Sequence, residues 1–122
     1  VASISHSHNH KYVAYNIDTN GSEYFSIFIE DIETKKTLST EIKNTTGDII
    51  WSLDNNYIFY VGLDENHRPT KVFKHKIGSN SKKDILIYEE KDPSFFCSIN
   101  LSKTKKYLFI RIKYRFSIME LH

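Results

Sequence analysis

Three histidines, His6, His8 and His10, fall within five positions of the stretch SISHSHNHKY (3–12). Imidazole is the commonest metal ligand and the usual general base at neutral pH, so this spacing raises both chelation and proton transfer. Two other groups raise similar questions. In DENHR (64–68), Glu65 and His67 could act as an acid–base pair, or Arg68 could grip a carboxylate. In YEEKDP (88–93), Glu89, Glu90 and Asp92 are close carboxylates of the kind that hold a cation or share a proton. A basic run, Lys103, Lys105, Lys106, Arg111, Lys113 and Arg115, has the charge that meets a phosphate backbone.

The elements that carry these residues decide among the chemistries. Eight short segments alternate apolar and polar residues: 11–18, 23–32, 48–53, 56–63, 70–77, 84–90, 94–100 and 106–112. Each reads as a strand, and the eight Tyr and eight Phe favour that state. Polar clusters such as DTNGS (18–22), LDNN (53–56) and GSNSKKD (78–84) separate them as turns. The stretch EDIETKKTLSTEI (30–42) lacks a firm helical stripe and reads as a strand end, a turn at ETKK and another strand.

Three stretches superpose: ISHSHNHKYVAY (4–15), IWSLDNNYIFY (50–60) and INLSKTKKYLFI (99–110). Each passes from a strand end through a polar turn to an aromatic-led strand. Tyr12, Tyr57 and Tyr107 stand 45 and 50 positions apart. A period of that size, holding about four strands, is the mark of a propeller blade. The fold expected is all-β, an incomplete β-propeller of about two and a half four-stranded antiparallel blades, at approximately 1–46, 47–93 and 94–122. The histidines then lie in a strand-to-strand turn whose other copies carry none, which favours a solvated turn over a metal site. Adjacent strand residues point to opposite faces, so Glu89 and Glu90 should not converge. The DENHR loop reads as a turn held by its own side chains. Trp51, Phe95 and Phe96 are expected in the core or between blades.

Composition narrows the partners. Seventeen basic and fifteen acidic residues give a formal charge of +2, too little to argue for nucleic acid. No apolar run approaches the roughly 20 residues of a membrane helix. The lone Cys97 allows no intrachain disulfide and fits a reducing compartment, so a cytoplasmic location is expected.

Residues 49–99 are similar to the N-terminal propeller of the oligopeptidase B (protease II) group within the prolyl oligopeptidase family of serine peptidases. FYV (59–61), LDENHRP (63–69), KVFKHKIG (71–78), YEEKDPSFF (88–96) and the earlier YVAYNIDTNGSEYFSIFIEDIETKK (12–36) carry the resemblance, loops included. It implies a propeller that covers a separate α/β-hydrolase domain and admits only short peptides, which the intact family cleaves after Lys or Arg. That domain bears its serine on a G-x-S-x-G elbow. The four glycines here, Gly21, Gly47, Gly62 and Gly78, flank no serine in that way. No catalytic, cofactor-binding or metal residue is therefore assigned, and the chain should be inert alone. The tail RIKYRFSIMELH (111–122) looks unrelated to the family, as in a decayed or split reading frame, and residues are expected upstream of Val1. The expected partners are the family's own hydrolase domain and short basic peptides, with self-association through bare strand edges. A stand-alone interaction module, or a complementing piece of a split peptidase, is the alternative.

Overall fold

The computed structural model describes residues 3–18, 21–38, 41–92, 94–101, 108–114 and 117–121. They form ten strands and one 3-10 turn, all paired antiparallel. The strands are β1 (Ser3–His6), β2 (Tyr12–Ile17), β3 (Phe25–Asp31), β4 (Ile42–Trp51), β5 (Tyr57–Leu63), β6 (Pro69–Lys76), β7 (Ile85–Glu89), β8 (Phe95–Leu101), β9 (Leu108–Tyr114) and β10 (Ser117–Leu121). The 3-10 turn, Ser81–Lys83, leads into β7. Strands β1 to β7 run in sequence order through one sheet, and β8, β9 and β10 make a second. The architecture is an all-β, unclosed portion of a propeller.

Two expectations need correction. The sequence places a strand at 48–53, but β4 begins at Ile42 and is ten residues long. Its first half pairs with β3 through Ile42–Ile27 and Thr45–Phe25. Its second half pairs with β5 through Ile49–Tyr60, Ile50–Phe59 and Trp51–Ile58. The polar run KNTTGD hides the strand, because its buried members, Thr45 and Gly47, are a polar residue and a glycine and leave no apolar alternation to read. The sequence also lists no strand after residue 112, yet β10 pairs with β9 from Tyr114–Ser117 to Ile110–Leu121.

The turn in direction within β4 rests on Gly47. Three β4 residues between Thr45 and Ile49 oppose one, Val61, on β5, which is a bulge. Gly47 sits there at φ 90°, a left-handed conformation that disfavours any side chain. The Asn16 amide, from β2, donates to its carbonyl at 2.7 Å. A Cβ at Gly47 would stand 2.9 Å from the Asn16 amide nitrogen.

Two apolar clusters hold the strands together. Ala14, Ile27 and Ile29 from β2 and β3 pack with Ile42, Trp51, Ile58 and Tyr60 from β4 and β5. Trp51 stacks on Tyr12, with centroids 6.2 Å apart, and its indole N–H donates to the Ser5 carbonyl at 3.1 Å. Trp51 is thus the core residue the sequence implies. The second cluster joins Val61 and Val72 to Cys97 and Ile99 on β8. Phe95 and Phe96 are only half-buried and belong to neither cluster's buried set.

A buried polar pin fastens the outer strand. His75 Nδ1 lies 2.6 Å from Asp84 Oδ1, with the two side chains 0% and 2% exposed. The Tyr60 hydroxyl donates to the other Asp84 oxygen. A carboxylate only accepts, so the imidazole donates through Nδ1. Asp84 thereby ties the residue before β7 to β5 and β6.

Three measurements test this scaffold. Gly47→Ala should cost about 1–3 kcal/mol in urea denaturation, through backbone strain and the Asn16 clash. Gly21→Ala, also at positive φ but with nothing within 4 Å, should cost less. Asp84→Ala should cost about 3 kcal/mol by removing the buried carboxylate that bonds both His75 and Tyr60, and should speed hydrogen exchange in β7 first. Burial pushes the Cys97 thiol from its ordinary value near 9 up to about 11. Iodoacetamide should therefore label the folded chain far more slowly at pH 8 than the urea-unfolded chain.

Candidate functional site

The histidine turn is built from its first serine. The Ser7 hydroxyl donates to Asn9 Oδ1 at 2.7 Å and accepts the Tyr12 N–H at 3.0 Å. Asn9 Oδ1 also accepts the Lys11 N–H. The next turn repeats this bond for bond: Ser52 donates to Asp54 Oδ1 and accepts the Tyr57 N–H, and Asp54 accepts the Asn56 N–H. The fourth residue of each turn, His10 or Asn55, has positive φ, 58° or 64°. The pattern Ser-x-Asn/Asp-x-x-Tyr carries this geometry, a more specific signal than polar character alone. The matching residues Ser102 to Tyr107 lie outside the described ones.

This geometry separates the three imidazoles. His6 ends β1 and is exposed, with its ring centroid 6.3 Å from that of His10. His8 turns instead to the neighbouring strand, with Nε2 3.4 Å from the Trp51 carbonyl. The Asn9 N–H donates to Asn55 Oδ1 at 3.1 Å, so the two repeated turns bond to each other. Among the described residues no three His, Cys, Asp or Glu side chains gather as a metal site.

The DENHR loop does more than hold itself together. Asp64 Oδ1 accepts the N–H groups of Asn66 and Arg68, which fixes the turn. His67, at φ 60°, places its ring edge-on to Tyr24, centroids 4.3 Å apart, and Nε2 3.9 Å from the Glu23 carboxylate. The Tyr24 hydroxyl donates to the Asp64 carbonyl at 3.3 Å. On the other side, Arg68 Nη2 donates to the Phe95 carbonyl at 3.2 Å. The loop between β5 and β6 thus clasps the β2–β3 loop and β8. Glu65 is exposed and takes no part in the clasp. Arg68 thus grips a main-chain carbonyl of β8.

The acidic group is also dispersed. Glu90 accepts the Tyr88 hydroxyl at 3.1 Å and the Asp92 N–H at 3.3 Å. Asp92 accepts the Ser94 N–H, while Glu89 is exposed on β7. Lys103, Lys105, Lys106 and Arg115 lie outside the described residues, and Arg111 and Lys113 are placed only as backbone on β9.

The strongest concentration of titratable groups, Tyr60, His75 and Asp84, gave no signal in the sequence. Burial, then the Asp84 carboxylate, drives the Tyr60 phenol far above its ordinary range, so it remains a donor. With His75 and Asp84 sealed, the set has the makeup of a proton relay of which only Tyr60 reaches a surface. Elsewhere the perturbations mark turns: hydrogen bonds hold Asp31 and Asp54 below the usual carboxylate range. A shallow open groove lies over Tyr60 and Phe73, lined by Lys43, Lys71 and Lys82. It offers positive charge and no nucleophile–base pair.

Comparison with known proteins agrees with this scaffold. The family model for the prolyl oligopeptidase N-terminal β-propeller domain matches residues 1–122, including the tail that the sequence alone sets apart. Protease 2 of Moraxella lacunata is 35% identical over 104 residues, which is 84% of this chain and 15% of that protein. Dipeptidyl aminopeptidase BI of Pseudoxanthomonas mexicana is 32% identical over 108 residues, 88% of this chain and 15% of that protein. The structure of oligopeptidase B from Leishmania major superposes with a TM-score of 0.86 at 28% identity, over 91% of this chain and 16% of that one. The chain spans about 15% of the length of the curated relatives it matches. It belongs to the prolyl oligopeptidase family, within the N-terminal β-propeller domain.

Proposed function

We propose that this chain supplies blades of the substrate-gating propeller of an oligopeptidase B-like serine peptidase, and that alone it hydrolyses nothing. The observation that carries this reading is the fate of its reactive side chains. Of the described groups that sequence marks as chemical, His8, His67 and Arg68 join turn to turn and sheet to sheet, while His75 and Asp84, which sequence does not mark, are sealed inside. Their roles suit a wall. A propeller wall acts sterically, by limiting which chains reach a catalytic centre elsewhere.

The relatives support a role separate from bond choice. Those named protease 2, dipeptidyl aminopeptidase BI and prolyl endopeptidase differ in the reaction their names state, yet all align with this region. A shared wall with differing hydrolase sites accounts for that. Cleavage after Lys or Arg is the preference we propose for the complete peptidase, from the oligopeptidase B likeness. The unpaired Cys97 supports a cytoplasmic setting. Among the described residues, no helix is long and apolar enough to cross a membrane.

The purified chain should release no fluorophore from a short arginyl peptide substrate above the buffer rate. Turnover that scales with chain concentration, and that a serine-directed inhibitor abolishes, would refute the reading.

A further inference from the structure

The groove over Tyr60 and Phe73 has a floor and walls of different chemistry. Its floor is a cross-strand aromatic pair. Tyr60 on β5 stands opposite Phe73 on β6, with ring centroids 5.3 Å apart and planes inclined by 21°. Tyr60 is nearly buried, so the half-buried Phe73 supplies most of the open ring surface. Gly62 makes room for that ring: a Cβ there would stand 2.9 Å from Phe73 Cε2. The φ of Gly62 is not positive, so its backbone does not call for glycine. The space beside Gly62 is taken by Phe73.

The walls carry charge. Lys43 comes from β4, Lys71 from β6 and Lys82 from the 3-10 turn. Among the described residues none of the three is in an ion pair. Glu89 stands opposite Lys71 across β6 and β7 but forms no bridge to it. Three separate elements thus bring like charges to one apolar floor, and a bound anion would supply the counter-charge. Size narrows the anion. The groove encloses about 260 Å³, small beside the roughly 300–1,000 Å³ of drug-sized sites, so it admits one small molecule. The kind of charge narrows it further. The arginine fork suits planar carboxylates, and the groove lining holds no arginine. Ammonium groups are compact point charges that suit phosphate oxygens. The Phe73 ring adds a surface on which a flat group can stack.

We propose that this groove binds a small organic phosphate bearing a flat ring, of the nucleoside phosphate class. The phosphates lie among Lys43, Lys71 and Lys82, and the ring lies over Phe73. Every wall of the groove belongs to this chain, so the site does not depend on the peptidase reading.

Amide chemical shifts of the isotope-labelled chain test this, because they locate binding as well as measure it. ADP should shift the amides of Lys43, Gly62, Phe73 and Lys82 first. Binding should saturate with a dissociation constant on the order of 1 mM at low salt, as suits a shallow open site. Salt at about 300 mM should weaken it about fivefold. Pyrophosphate lacks the ring and adenosine lacks the charge, so each should bind at least about fivefold more weakly than ADP. Lys71→Gln with Lys82→Gln should weaken ADP binding about tenfold. Lys11→Gln with Lys35→Gln removes equal charge outside the groove and should change binding less than about twofold. These lysines are exposed or half-buried, and an amide spectrum otherwise unchanged shows that each variant is folded. No saturable shift with about 10 mM ADP, pyrophosphate binding as tight as ADP, or an equal loss from the Lys11 and Lys35 exchange would each overturn the proposal.

Discussion

A sheet of four strands has two faces and no means of covering both. That constraint governs the molecule. Ala14, Ile27 and Ile29 are fully buried because the Trp51–Ile58–Tyr60 region of the next strands lies against them. Val61 and Val72, in turn, are buried by Cys97 and Ile99 on β8. Each group of strands completes its core with residues from the next, so the stack is the unit of stability. Trp51 contributes a large apolar ring while its one donor finds a carbonyl of β1, which lets a polar atom sit inside without penalty.

Stacking on flat faces fixes distance but leaves rotation and sliding loose, and the turns remove that freedom. Ser7 and Ser52 set two turns of one shape, and Asn9 then bonds Asn55 between them. At the other ends of the strands, Tyr24 and His67 join two loops, and Arg68 reaches a third element. Residues at positive φ, His10, Glu23, Asn55 and His67, sit in these contacts or beside them. A left-handed residue turns the chain back sharply, so turn side chains and amides can face sideways toward a neighbour.

The repeat was legible because it recurs in residue type: Tyr12 and Tyr57 follow matching serines by the same interval. The loop likeness carried the family as well. What escaped was whatever lacked a period. In the KNTTGD stretch of β4 the buried positions are Thr45 and Gly47, so apolar alternation is absent there. The Tyr60–His75–Asp84 pin joins residues 24 and 9 positions apart by way of three elements, and no local pattern encodes it. The DENHR loop is held by its own Asp64, as read, and the added clasp at Arg68 escaped for the same reason, since its acceptor is a main-chain carbonyl 27 residues away. The tail, read as foreign to the family, falls within the family match, and Ile110 to Tyr114 pair as a strand in which Arg111 and Lys113 alternate with apolar residues.

These features share a physical cause. A turn side chain that bonds the next turn is held in one geometry, and this rigidity suits a wall better than a site that must reorganise around a reacting bond. A reactive group also needs access. His75 and Asp84 have the chemistry without access; His6 and His10 have access without a converging partner. The separation follows from the stack itself. Polar groups buried between sheets must be fully bonded or the stack loses stability. Those on the turns are drawn toward neighbouring turns. Chemistry on a substrate would have to come from surfaces that the stack does not use.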